Sequence, residues 1–245
     1  KTFRETNDSV FSQIDKDLEA GVRKFLLFYV PEEKKSHSFN HDFSCKNILE
    51  LKKRYGNQIW LAVDVCLCSA TTHGHCGILS DSTARQPSYN FQESFVNNQL
   101  TVEELSKAAL QFAQAGADCV APSDMMDGRI QAIRKVLDEK TLIMSYAAKF
   151  HSSFYGPFRQ AADSAPKSGL KDRASYQIDP ARPSDALASA LRDEAEGADI
   201  LMVKPGLPAL DVLSKLSQLI PSKPWAVYQV SGEFAGVELL LLNCR

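Results

Sequence analysis

The chain has 245 residues, 44% of them hydrophobic and 24% charged, with a formal net charge of −2. That length can bury a substantial core, and the near-neutral balance gives no reason to expect nucleic acid or an acidic membrane as partner. No apolar run approaches the ~20 residues of a membrane span, and the opening Lys1-Thr-Phe-Arg-Glu-Thr-Asn carries no apolar signal core.

In chain order, a helical pattern over 10–20 is followed by an apolar strand at 24–30. A long connection, 31–45, precedes a strand at 59–65. A second, 66–101, leads to a helix at 102–115, a strand at 118–121 and a helix at 128–138. The strand at 141–145 opens a third long connection, 150–183. A helix at 184–196, a strand at 200–204, a helix at 209–219 and a strand at 225–230 complete the series. Three helix-to-strand joints share a pattern: Glu-Ala-Gly-Val before Phe25, Gln-Ala-Gly-Ala-Asp before Val120 and Glu-Gly-Ala-Asp before Leu201. Each puts Gly at a helix C-terminus, where a left-handed residue is needed.

Strands alternating with helices imply a parallel sheet of the α/β class. An open doubly wound sheet accepts six strands but usually carries a Gly-rich loop after the first. Here Phe28-Tyr-Val-Pro-Glu-Glu follows instead. The better expectation is a single TIM (β/α)8 barrel domain over 1–245, incomplete, with about six βα units present. The long connections follow strand C-terminal ends, where barrel enzymes build their sites.

The six cysteines include Cys66, Cys68 and Cys76, which share eleven residues with His73 and His75. Without a secretory signal, this clustering favours a reducing compartment and metal or catalytic thiols over disulfides. Residues two apart in an extended segment share a face, and a turn through Gly74 can return Cys76 to Cys66 and Cys68. Three thiolates make a zinc site with one position left for water or substrate. The alternative is buried thiols packing as small hydrophobes. His73 and His75 stay open among support of the cysteines, substrate contact and plain loop roles.

Lys204 ends the strand Ile-Leu-Met-Val-Lys and so reaches the barrel mouth, while Lys149 is placed just past the strand at 141–145. Burial and a neighbouring lysine both lower an ammonium pKa, and a neutral lysine amine forms Schiff bases with carbonyls. The bland alternative for either is a solvated surface charge. Ser123 and Asp124 follow another strand, and one of them could simply be a helix N-cap. Arg159 and Arg173 lie in the third long connection and suit a carboxylate by bidentate pairing, with surface arginines the equal alternative. Ser231 could donate to a substrate oxygen.

Six strings in order carry a resemblance: Asp64-Val-Cys-Leu-Cys with His-Gly-His-Cys-Gly, Ala-Pro-Ser-Asp-Met-Met-Asp-Gly-Arg, Met-Ser-Tyr-Ala-Ala-Lys-Phe, Phe-Tyr-Gly-Pro-Phe-Arg, Leu-Met-Val-Lys-Pro-Gly and Val-Ser-Gly-Glu-Phe. From about Phe3 to Ala235 the chain resembles the porphobilinogen synthase (5-aminolevulinate dehydratase) family. The resemblance implies an enzyme that joins two 5-aminolevulinate molecules into porphobilinogen, losing two waters, in heme and tetrapyrrole biosynthesis. It implies that Lys204 holds the first substrate and Lys149 the second. It implies a catalytic zinc (Zn2+) on Cys66, Cys68 and Cys76, with Asp64, Ser123 and Asp124 around the zinc and substrate amino group. Arg159, Arg173 and Gln177 then match contacts to one substrate carboxylate, and Tyr228 and Ser231 lie near the other. Tyr155 and Phe158 would exclude water from the imines. The family pattern is a cytoplasmic homo-octamer. Gln229 stands where the family usually has His. Residues 236–245 read as a divergent tail, and the N-terminal arm, first strand and last barrel strand are expected to be missing. Other readings are a class I aldolase-type lyase using Lys204 alone, or an inactive truncated homologue acting only by association.

Overall fold

The computed structural model describes residues 4–80, 95–167, 170 and 172–243. Helix α1 (Ser9–Glu19) leads into β1 (Lys24–Leu27), α2 (Asp42–Tyr55) and β2 (Trp60–Val65). A short antiparallel pair, β3 (Leu79–Ser80) and β4 (Phe95–Val96), precedes α3 (Asn98–Gln114), β5 (Cys119–Pro122) and α4 (Arg129–Val136). Then come β6 (Leu142–Lys149), α5 (Gly156–Ala161), α6 (Pro183–Ala195), β7 (Ile200–Lys204), α7 (Leu210–Leu219), β8 (Trp225–Val227) and α8 (Ser231–Asn243).

Six strands form one parallel sheet in the order β1-β2-β5-β6-β7-β8. Their order in the sheet is their order in the chain, as in a barrel and unlike a doubly wound sheet, whose order reverses. The sheet is a curled half-barrel, in agreement with the expected incomplete (β/α)8 architecture. At the three joints the glycines take φ between +92 and +106, the left-handed conformation expected of them.

Strand alternation sorts the side chains into two layers. One set of alternate positions, such as Leu61 and Val63 on β2, Val120 on β5, Ile143 on β6, and Leu201 and Val203 on β7, packs outward under the helices with Leu105, Ile130 and Leu216. The positions between them, Ala62, Cys119, Ala121, Met144, Tyr146 and Met202, form a second cluster inside the curl, with Leu26, Ala226 and Tyr228 against it. Buried on both faces, the strands read as continuous apolar runs.

Three expectations need correction. The first long connection is shorter than 31–45, because α2 begins at Asp42. Ile48, Leu51 and Tyr55 are its buried stripe, a helical spacing obscured by the polar segment ahead of it. Lys149 does not lie past its strand but ends it. The strand is longer than 141–145 because a bulge lets it continue: Ser145 pairs with Leu201 but Ala148 with Val203. Residues 231–243 fold as a helix, with Leu239, Leu240, Leu241 and Leu242 largely exposed. Among the described residues, no helix is long and apolar enough to cross a membrane. Cys244 and Lys171 lie outside the described residues, as does most of the connection between β3 and β4.

Candidate active site

The inward-facing C-terminal ends of the strands converge on one cavity. Asp64, Cys66, Cys68, Ser123, Lys149, Tyr155, Phe158, Arg159, Arg173 and Lys204 all line it. The sheet register brings them together. Asp64 pairs with Ala121 across β2 and β5, and the Ser123 N–H donates to the Val65 carbonyl at 3.2 Å. Lys149 pairs directly with Lys204 across β6 and β7.

Both lysines are buried. The Lys149 ammonium donates to the Ser123 carbonyl. Lys204 sits in a box of aromatic faces: its Nζ lies 3.9 Å from the Tyr228 ring centroid, 5.2 Å from Tyr146, and 5.3 Å from both Tyr155 and Phe158. Burial first, and the nearby Lys149 charge second, lower its pKa to about 7 against the pull of Asp64. A substantial fraction is therefore the nucleophilic free amine near neutrality. Asp64 is pushed up to about 6, by burial first, with the Lys149 charge opposing.

Cys66, Cys68 and Cys76 present their sulfurs within 4.8 Å of one another, through a turn at Gly74 with φ +78. Hydrogen bonds from Cys66 and Cys68, with Arg173 behind them, hold the Cys76 thiol well below its usual range. The Cys66 thiol is pushed up, by its hydrogen bonds with Cys68 and Cys76 first and then by burial. This donor set fits a thiophilic metal: three convergent sulfurs, one of them with a lowered pKa. His73 and His75 take a supporting place. His75 Nδ1 meets the Tyr176 hydroxyl at 3.1 Å, and its Nε2 meets the Leu170 carbonyl at 3.0 Å. That carbonyl can only accept, so Nε2 carries the hydrogen. His73 accepts the His75 backbone N–H on Nδ1 at 3.1 Å, and burial lowers its pKa to about 4.

Arg159 and Arg173 line the cavity, and Gln177, whose backbone N–H donates to the Arg173 carbonyl at 2.9 Å, is buried next to Arg173. Arg173 donates to the Gly74 and Ser164 carbonyls, yet its Nε is buried without a partner. Arg159 leaves Nε and Nη2 unpaired, and Gln177 leaves both amide atoms unpaired. Unpaired guanidinium donors facing a cavity suit a polar or anionic occupant. Ser231 is engaged elsewhere: it accepts the Phe158 N–H at 3.1 Å and donates to the Phe154 carbonyl at 3.4 Å, so it holds Phe158 in place. Asp124 is no simple cap: it is fully buried and accepts the Met126 N–H at 2.7 Å.

A family profile described as delta-aminolevulinic acid dehydratase matches residues 1–243. The chain belongs to the delta-aminolevulinic acid dehydratase family. The match passes Ala235, where the resemblance was expected to stop, and so takes in the whole of α8. The family's protein from Methanothermobacter thermautotrophicus is 45% identical over 241 residues, 95% of this chain and 69% of its own. The Bos taurus member is 43% identical over 228 residues, 89% of this chain and 65% of its own. In solved structures, delta-aminolevulinic acid dehydratase (porphobilinogen synthase) from Toxoplasma gondii ME49, in complex with the reaction product porphobilinogen, superposes with a TM-score of 0.88. It is 37% identical, covering 98% of this chain and 67% of that one. The chain thus spans about two thirds of the length of these family members. The family is metal-dependent, in keeping with the three-cysteine group.

Sequence reasoning missed three residues that the structure places in or beside the site. Tyr146 has both lysines over its ring. Arg129, fully buried, spans α6, β6 and the Asp124 loop: its guanidinium contacts Asp193 at 2.9 and 3.2 Å and Ser145 at 3.1 Å, with Asp124 3.6 Å away. Glu233 accepts the N–H groups of Leu207 and Val230, both at 2.6 Å, tying the turn after Lys204 to α8. Tyr146 and Arg129 stand inside motifs that were noted, but strand parity argues against Tyr146 sharing a face with Lys149.

Proposed function

We propose that the chain condenses two molecules of 5-aminolevulinate into porphobilinogen with loss of two waters, as a step of tetrapyrrole synthesis. The observation that carries this is the pairing of Lys149 with Lys204 on adjacent strands, beside three convergent cysteines. The Lys204 amine, free in good part near neutrality, adds to the ketone carbon of the first substrate. The C–N bond forms, the oxygen leaves as water and a cationic imine remains. Lys149 does the same for the second substrate. Two activated carbonyls held side by side favour C–C and C–N bond formation between their neighbouring carbon and amino groups by proximity.

The unpaired donors of Arg159, Arg173 and Gln177 suit one substrate carboxylate by charge-assisted hydrogen bonds. Tyr155, Phe158 and Tyr228 shield the imine at Lys204 from water. Asp64 and the Ser123–Asp124 corner provide acceptors for the substrate amino group. Cys66, Cys68 and Cys76 would hold a zinc ion, which in that position supplies Lewis acidity to a bound oxygen or amine. The family's pattern further suggests a homo-octamer acting in the cytoplasm.

The test is direct. The 245-residue chain, loaded with zinc, is incubated with 5-aminolevulinate and the pyrrole product is measured. Borohydride is added in parallel, and the adducts are mapped by peptide mass spectrometry. Pyrrole formation together with adducts on Lys204 and Lys149 is the expected result. Adducts on surface lysines only, with no pyrrole, would refute the assignment.

A further inference from the structure

Tyr146 stands between the two lysines. Its side chain is fully buried on β6, and its ring centroid lies 5.2 Å from Lys204 Nζ and 5.6 Å from Lys149 Nζ. The other rings around Lys204 lack this second contact: Lys149 meets the face of Tyr146 alone among the described residues. A cation within ~6 Å of an aromatic face is attracted by the ring quadrupole, more strongly when water is excluded.

We propose that Tyr146 is a shared electrostatic platform that stabilises the cationic imine at both lysines. This deepens the Schiff-base reading above and rests on it. In each step a neutral amine, a carbonyl and one proton from solvent give an iminium and one water. The nitrogen forms its bond to carbon as the carbonyl π pair moves to oxygen. The oxygen carries off the added proton and one hydrogen of the amine, and the nitrogen lone pair becomes the C=N bond. The positive charge of the product therefore sits close to the lysine nitrogen, over the ring that faces it. The Asp64 carboxylate also attracts charge at both nitrogens, and the Tyr146 face is the ring that they share. The Lys149 ammonium has the Ser123 carbonyl, but a nitrogen that has become an imine has fewer hydrogens to donate and depends more on the ring. Because one ring serves both nitrogens, weakening its face should affect both imines, whereas weakening Tyr228 should affect Lys204 alone.

The test separates this from packing and from the substrate assignment. Position 146 is occupied in turn by phenylalanine and by its mono-, di- and trifluorinated forms, which keep the shape and drain the ring face. Each full-length chain is equilibrated with acetaldehyde and cyanoborohydride, a carbonyl probe that needs no substrate recognition, and separately with 5-aminolevulinate. Adducts at Lys149 and Lys204 are counted by mass spectrometry. With acetaldehyde, Tyr146→Phe should stay within roughly twofold of the unaltered chain. Successive fluorines should lower trapping at both lysines in step, roughly three- to tenfold by the third. Tyr228→Leu should lower Lys204 trapping and leave Lys149 unchanged. Equal trapping across the fluorinated series, or a decline at one lysine only, would overturn the proposal. Normal acetaldehyde behaviour with no 5-aminolevulinate adduct would instead sink the substrate reading while upholding the platform.

Discussion

Lys149 and Lys204 are register partners on neighbouring parallel strands, and the amide of the next residue, Phe150, donates to the Lys204 carbonyl at 2.8 Å. Two amines are thereby fixed on one rigid sheet, at the strand ends, pointing into one cavity. Fixing them on strands costs less precision than a loop would, since the ladder on either side holds both backbones.

The lysines should differ in consequence when removed. Lys204→Ala should abolish product formation and remove the adduct at 204. Lys149→Ala should also abolish the pyrrole but leave Lys204 able to form its own imine. Trapping with borohydride and 5-aminolevulinate, read by peptide mapping, checks both. An intact adduct yield in Lys204→Ala would remove that residue from the mechanism.

The environment of Lys204 predicts two pH effects. With its amine at about 7, the rate of trapping at Lys204 should fall roughly tenfold per pH unit below that value. The folded chain also binds fewer protons at Lys204 than the unfolded chain between about 7 and the ordinary lysine value of 10.5. Stability should therefore rise with pH across that window from this group, and the full penalty for burying the ammonium applies below it. Denaturant midpoints compared between the chain and Lys204→Met should show the substituted chain gaining most in acid and little above pH 10.

Metal binding should depend on the cysteine trio as a unit. The chain should take up zinc at about one ion per chain, and Cys66→Ser with Cys68→Ser should lower affinity by several orders of magnitude, since one thiolate cannot close the site. Equilibrium dialysis with metal analysis measures this without reference to activity. Undiminished uptake in the double variant would place the metal elsewhere.

Arg129 should matter for stability as well as activity. It is buried with Asp193, and Arg129→Ala leaves that carboxylate only the Ser145 hydroxyl and the Arg192 guanidinium 3.7 Å away, at a cost of up to about 3–5 kcal/mol. Arg129→Lys restores a charge but not the two-pronged contact with Asp193 and Ser145, and should recover only part. Urea unfolding followed by circular dichroism gives both values. A loss under about 1 kcal/mol for Arg129→Ala would mean that water or relaxation takes the place of the guanidinium.

Much of the site was legible in the chain. Cys66, Cys68 and Cys76 declare a metal site because three sulfurs and a turn-forming glycine lie so close in sequence. Lys204 declares itself because an apolar strand has no reason to end on a charge except at a mouth or a surface. The helix at Asp42–Tyr55 was obscured because its apolar stripe begins only at Ile48, behind a polar stretch that reads as loop. Arg129 and Asp193 lie 64 residues apart, and no local signal joins them.

The sequence by itself determined the alternation of strands and helices, the glycines that end the helices, a lysine at one strand end with a second just past another, and three cysteines close together in one loop. Only the tertiary structure decided which face each side chain takes. By simple alternation, Met144 and Tyr146 point into the curl and Lys149 points out, under the helices. The bulge between Ser145 and Ala148 inserts one residue on β6 against β7, sending both Ala147 and Ala148 to the outer layer and returning Lys149 to the inner one. Period two converts a single extra residue into a change of face for everything that follows. That one irregularity sets Lys149 beside Tyr146 and opposite Lys204, and no propensity of the local residues specifies it apart from the neighbouring strand that it pairs with.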